Sequence, residues 1–251
     1  MELPGASVLR DPCSESNARL SYRDVAEVRH MFLFKLPYEL VDIILEEAQC
    51  WAYTSAECYS FHSIRASSSP SFNASHIISI SEPIPDCSKV KTIQFRIHSQ
   101  EYKTGYFTGR FRNPYDSYTW FEASILRPLD LPQPLPQSTM STNHSLNASK
   151  LMELGWMEIA NPRDGRNRRW PVQANATSAP SKLHHVTWGS MDDAGKTLFD
   201  DEWDSETGQG PGLGFIETLR AGDRIILLGR ALFAGYENHV FSTKIEIACQ
   251  T

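Results

Sequence analysis

The side chains able to do chemistry fall into a few separated runs. Arg163, Arg166, Arg168 and Arg169 crowd the segment NPRDGRNRRW, just before Trp170. Guanidinium groups supply forked donors for carboxylate or phosphate, and an exposed indole can stack on an apolar ring or a sugar face. This pattern suits either a protein or anion partner or a basic loop satisfied within the chain. Two aromatic runs, 102–107 and 115–121, have Arg110, Arg112, Asp116 and Glu122 nearby. They read as a binding platform with directed polar contacts or as sheet packing, and Trp120 and Trp188 are the further rings that could serve recognition.

Other runs promise chemistry that their spacing withholds. The carboxylates Asp200, Asp201, Glu202, Asp204 and Glu206 lack the regular ligand series of a calcium loop and read as a solvated acidic loop. Gly208, Gly210, Gly212 and Gly214 match neither a dinucleotide fingerprint nor a phosphate-binding loop, so they read as a turn that permits close backbone packing. His184 and His185 are adjacent, and neighbouring strand residues point to opposite faces, which argues against a shared metal. Cys13, Cys50, Cys58, Cys87 and Cys249 form neither a CxxC pair nor a zinc knuckle and read as isolated thiols. No metal and no cofactor is expected. An acid–base pocket using His185, Glu217 or Asp223 is the enzymatic alternative.

Charge and hydropathy bound the partners. Lys+Arg 24 against Asp+Glu 30 gives a formal charge of -6, which disfavours a DNA-coating surface and makes nucleic acid an unlikely ligand. No stretch is long and apolar enough for a membrane span, and the amino terminus has no basic segment leading into an apolar signal core. The expected setting is cytoplasmic or nuclear. Asn73, Asn143, Asn147 and Asn175 each head an N-x-[ST] triplet, read as chance matches in polar loops.

The elements that must position these groups follow from periodicity. Residues 1–35 read as a flexible amino-terminal region. LPYELVDIILEEAQCW, within 36–52, predicts an amphipathic helix with Pro37 in its first turn and Leu36, Leu40, Ile44, Ala48 and Trp51 on one apolar face, broadened by Val41 and Leu45. That face can close the chain's own core or enter a partner's groove. Residues 53–88 read as a Ser/Pro-rich linker bearing one short strand around HIISI. From 89 to 251 the pattern turns to strands. Ile93, Phe95 and Ile97 share one face, as do Phe121, Ala123 and Ile125, and as do Phe241, Thr243, Ile245 and Ile247. A Pro-rich insertion at 127–149 interrupts this region, and Gly229 marks a buried central strand or a bulge. The fold class is mainly β: an antiparallel β-sandwich, with jelly-roll connections as an option, flanked by an amino-terminal amphipathic helix.

The segment LPYELVDIILEEAQCWA resembles the first helix of an F-box or F-box-like segment, which implies an adaptor of a ubiquitin-ligase complex as a partner. KTIQFRIHSQ, YTWFEASIL, RRWPVQANA, HHVTW, GLGFIETLRAGDRIILLGRALFAGYENHV and KIEIA together resemble a fungal family of uncharacterised β-rich proteins, and no activity follows from that likeness. The functional expectation is a protein-interaction or ligand-binding module. Carbohydrate binding is one alternative and a small enzyme of specialised metabolism is another.

Overall fold

A computed structural model describes residues 19–66, 73–86, 89–103, 114–130, 132–135, 148–163, 169–177, 179–189 and 203–250. The chain divides into two units, Met1–Ala52 and Tyr53–Thr251.

The first unit is a helical pair. Helix α1 (Tyr22–Leu33) opens on a capping box in which Ser21 Oγ accepts from Asp24 N at 3.2 Å and Asp24 accepts from Ser21 N at 2.8 Å. Helix α2 (Tyr38–Glu47) follows Pro37, and an Arg29–Asp42 ion pair of 2.7 Å joins the two helices. Its buried side chains are Val41 and Leu45, while Leu40, Ile43 and Ile44 are exposed. Burial therefore falls on the Val41/Leu45 flank of the expected face and not on its Leu40/Ile44 part. The whole of α2 is apolar enough to offer two candidate stripes, and the sequence alone does not select between them. The helix also stops at Glu47, short of Trp51, where Gln49 takes a left-handed φ of 48° and releases the chain into a strand. Helix α1 itself lies in a region read from sequence as flexible.

The second unit is a two-sheet sandwich. Sheet A contains β1 (Ala52–Cys58), β2 (His62–Arg65), β4 (Lys89–Lys103), β8 (Lys182–Gly189) and β10 (Tyr236–Gln250), in the order β1-β10-β4-β8 with β2 also on β10. Sheet B contains β3 (Asn73–Ile80), β5 (Thr119–Pro128), β6 (Trp156–Ile159), β7 (Trp170–Ala174) and β9 (Arg224–Leu232), in the order β3-β9-β5-β6 with β7 also on β5. The pairings run antiparallel. Two antiparallel sheets of five strands are the expected sandwich class, and the chain crosses between them at β2–β3, β3–β4, β4–β5, β7–β8, β8–β9 and β9–β10. Residues 53–88 are not a linker with one strand: they supply β1, β2 and β3. Their serines and threonines fit a pleated surface without raising a strong hydrophobic signal.

The core lies between the sheets. Ile93, Phe95 and Ile97 of β4 meet Phe121, Ala123 and Ile125 of β5, as their alternation predicts. Gly229 sits in the central strand β9 with no bulge against β5, and a Cβ there would stand 2.2 Å from Ile64 Cδ1 on the opposite sheet. A second cluster covers the outer face of sheet B. There Leu126, Trp156, Ile226 and Leu228 pack with Leu151 from the short helix α3 (Ala148–Glu153).

One side of the sandwich is closed by the glycine segment that precedes the four-residue helix α4 (Phe215–Thr218). Ala174 N donates to Gly208 O at 2.8 Å and Gly210 N donates to Val172 O at 3.0 Å, so the segment runs as an extra rung beside β7. On its other flank the Trp188 indole donates to Gly210 O at 2.9 Å, and Gln209 Nε2 donates to His185 O at 3.0 Å. Gly212 has a left-handed φ of +65°, and a Cβ there would come within 2.3 Å of the Trp188 ring. Close approach is what these glycines serve. Gly212→Ala is expected to lower unfolding stability by about 2–4 kcal/mol, combining backbone strain with overpacking. Gly222→Ala, also left-handed but with only Pro128 nearby at 3.5 Å, is expected to cost about 1 kcal/mol. Urea denaturation of the two variants checks this ordering, and equal losses would remove the packing component.

Candidate functional site

A connected group of rings lies on the outer face of sheet A. Along β4, residues alternating with the core-facing set put His98, Gln100 and Tyr102 outward; along β10, Glu237 and His239 do the same. A register shift between Val240 and Ser242 then makes Phe241 an additional outward residue. Sequence alternation placed Phe241 on the core face with Thr243, Ile245 and Ile247. The bulge reverses Phe241 and leaves the other three buried.

The resulting strip is continuous. Tyr102 stacks on His239 with ring centroids 4.9 Å apart and planes 9° apart. Phe61, just ahead of β2, stands edge-on to His239 at 5.4 Å and tilted to Phe241 at 5.6 Å. His98 lies 4.9 Å from Phe241, and Leu183 of β8 is its register partner across the sheet. Phe61 is 57% exposed, Tyr102 46% and Leu183 44%, well outside what packing alone asks of such residues.

A polar rim borders the strip. Glu237 is buried beneath it, accepts from Ser63 Oγ at 3.0 Å, pairs with Arg65 at 2.7 Å, and lies 3.3 Å from His239 Nε2. Burial works to raise the Glu237 pKa, but the hydrogen bonds from Arg65, Ser63 and His239 outweigh it and hold the carboxyl below its ordinary range. Arg65, by contrast, keeps its side chain 69% exposed. Further along the same face Lys244 bridges Glu57 at 2.6 Å and Glu246 at 3.3 Å, and Tyr59 donates to Glu57 at 2.6 Å.

The residues singled out by sequence lie elsewhere. Trp170 and Trp188 are core residues whose indoles donate to Leu213 O and Gly210 O, each at 2.9 Å. Trp120 is half-buried on the outer face of sheet B and donates to Glu122 at 2.8 Å, with the Arg230 guanidinium 5.6 Å from its ring. Arg169 joins that network: it forks onto Glu158, reaches Ser75 Oγ at 3.2 Å and approaches Glu122 at 3.8 Å. Arg163 caps a turn through Asn161, its backbone N donating to Asn161 Oδ1 at 3.0 Å. Arg166 and Arg168 lie outside the described residues, as do Arg110, Arg112, Asp200, Asp201, Glu202, Cys13 and Cys87. Asp204 closes its own turn, accepting from the backbone of Glu206 and Thr207.

The groups suggested for acid–base work do not meet as a hydrogen-bonded set. Asp223 is buried in a two-pronged pair with Arg127 at 2.8 and 3.0 Å, whereas His185 and Glu217 are exposed. Among the described residues no group of three or more His, Cys, Asp or Glu could hold a metal ion, and no helix is long and apolar enough to cross a membrane. Cys50, Cys58 and Cys249 are thiols outside any disulfide, Cys58 Sγ lying 3.5 Å from His62 Nε2, and burial pushes Cys249 up to about 11. Compared with known proteins, the chain matches no family model, no curated sequence and no solved structure.

At one end the interior becomes polar. Ser99 Oγ donates to Asn175 Oδ1 at 2.7 Å, and Asn175 donates to Thr119 Oγ1 at 2.9 Å and to Asn238 Oδ1 at 3.0 Å. His184 is buried as well, with no hydrogen-bond partner for Nε2 among the described residues. Desolvation, aided by Lys182, His185 and His98, depresses its pKa from 6.5 to about 4. The fold therefore holds this imidazole neutral. As pH falls from 6.5 to 4 the unfolded chain takes up a proton that the folded chain refuses, so stability drops across that window by up to about 3 kcal/mol. Burial depresses His62 and His76 in the same direction. Urea midpoints recorded from pH 7 to 4 should fall for the parent protein and fall less for His184→Leu; parallel curves would assign the acid loss to other groups.

Proposed function

We propose that this chain is an interaction module whose sandwich holds a ligand against the ring strip of sheet A and whose helical pair docks a protein. The strip carries the reading. Phe61, Tyr102, His98, His239 and Phe241 form one connected set of rings on a sheet face, and two of them are about half exposed or more. Carbohydrate is the ligand class that suits it, since a sugar offers C–H faces to rings and hydroxyls to neighbours such as Ser63, Arg65 and Gln100.

The helical pair supports the second half of the reading. Phe34, Tyr38, Leu40, Ile43 and Ile44 are all exposed, and burying each such side chain is worth about 1.5–3 kcal/mol. This is the stretch that resembles the start of an F-box, so the proposed occupant is a helical adaptor of a ubiquitin ligase, which sets the work in the cytoplasm or nucleus.

Titration of the purified full chain with purified adaptor tests the docking half. Leu40→Glu and Ile43→Glu should each weaken binding at least tenfold with an unchanged melting temperature of the sandwich; undiminished binding, or none by the parent, rejects it. For the ligand half, Phe61→Ala and Tyr102→Ala should abolish retention on immobilised plant and fungal cell-wall polysaccharides. Retention that ignores both variants, or is absent in the parent, removes the strip from the function.

A further inference from the structure

Resting on the ring-strip reading, we infer that the ligand is an acidic glycan, one carrying uronate carboxylates, and that Arg65 is the residue that selects it. The placement of charge around the strip points to this class. The carboxylate beside the rings, Glu237, is at the floor, 2% exposed, and receives Ser63 and Arg65. Arg65 lies in register with Glu237 and so in the row of Tyr102, with 69% of its side chain in solvent, and a ligand lying on Tyr102 meets an exposed guanidinium whose anchoring carboxylate is buried. One arm of the guanidinium is paired with Glu237 at 2.7 Å, and a guanidinium carries further N–H donors in the fork geometry that fits a carboxylate.

The number of cations narrows the class. A single-stranded nucleic acid needs a cation for most of its phosphates, and among the described residues Arg65 is the exposed arginine beside the five rings. A neutral sugar offers the solvent-facing part of that guanidinium no anion beyond Glu237. A uronate residue supplies both parts, a ring whose C–H face covers an aromatic side chain and one carboxylate at its edge. Gln100 and Ser63, outward on the neighbouring strands, are placed for the hydroxyls.

Calorimetric titration of the full chain with octagalacturonate, with a neutral cello-oligosaccharide and with a polyglutamate peptide tests the inference. The expected order is octagalacturonate tightest, by at least tenfold over the other two. Arg65→Gln, which keeps a hydrogen bond to Glu237 and removes the charge, should abolish that preference, and Arg65→Lys should restore part of it. Thermal melting of both variants confirms that they fold. Equal affinity for the acidic and neutral sugars, unchanged by Arg65→Gln, overturns the inference and leaves the strip as a neutral-sugar site. Polyglutamate binding as tightly as octagalacturonate overturns it in favour of an acidic peptide. Octagalacturonate binding that survives Phe61→Ala and Tyr102→Ala overturns the ring-strip reading beneath it.

Discussion

Two indole N–H groups hold the sandwich closed along one side. Trp188 projects from sheet A and Trp170 from sheet B, and both donate to carbonyls of the same glycine segment, at Gly210 and Leu213. Each is surrounded by apolar core, where an unmatched N–H would be costly. The segment can reach them only because it lacks side chains at the points of approach. A Cβ at Gly210 would lie 1.9 Å from Pro171 O. Rings fill the space between: Phe215 stands edge-on to Trp170 at 4.9 Å and tilted to Trp188 at 5.0 Å. The tryptophans, the glycines and Phe215 form one assembly, and the facing of the two sheets depends on it.

Charge is arranged differently on the two outer faces. On sheet B, Arg169 and Arg230 meet Glu122 and Glu158 in a half-buried network whose members neutralise one another beside Trp120. Such a network suits a fixed surface, because each guanidinium faces a carboxylate within it. On sheet A the Arg65–Glu237 pair is layered, its carboxylate buried and its guanidinium side chain 69% exposed. Phe61 and Tyr102 on the same face are exposed as well.

Strand alternation made much of the core legible. Ile93, Phe95, Ile97, Phe121, Ala123 and Ile125 face inward as their spacing requires, and the opposite orientations of His184 and His185 follow from the same rule. What the sequence hid depends on non-local geometry. Phe241 changed sides through a bulge set by its pairing with β4, and β1 to β3 are held by strands more than 100 residues away, so their weak local pattern carried little signal. The same limit applies to the strip itself. Phe61, Tyr102 and His239 are scattered along the chain and become neighbours only when β2, β4 and β10 pair. The arginine run is conspicuous because it is dense, whereas Arg65 stands apart from it in sequence and meets Glu237 only through the fold.

Asn175 begins an Asn-Ala-Thr triplet, yet its amide is consumed by Ser99, Thr119 and Asn238 in the closed interior. An enzyme that attaches sugar to this nitrogen would need the chain extended and accessible, before β4, β5 and β10 assemble. A glycan placed there would in turn keep these strands apart. Modification at Asn175 and completion of the sandwich are thus mutually exclusive outcomes for one molecule, and a sugar found at that position would mark a chain that had not closed its core.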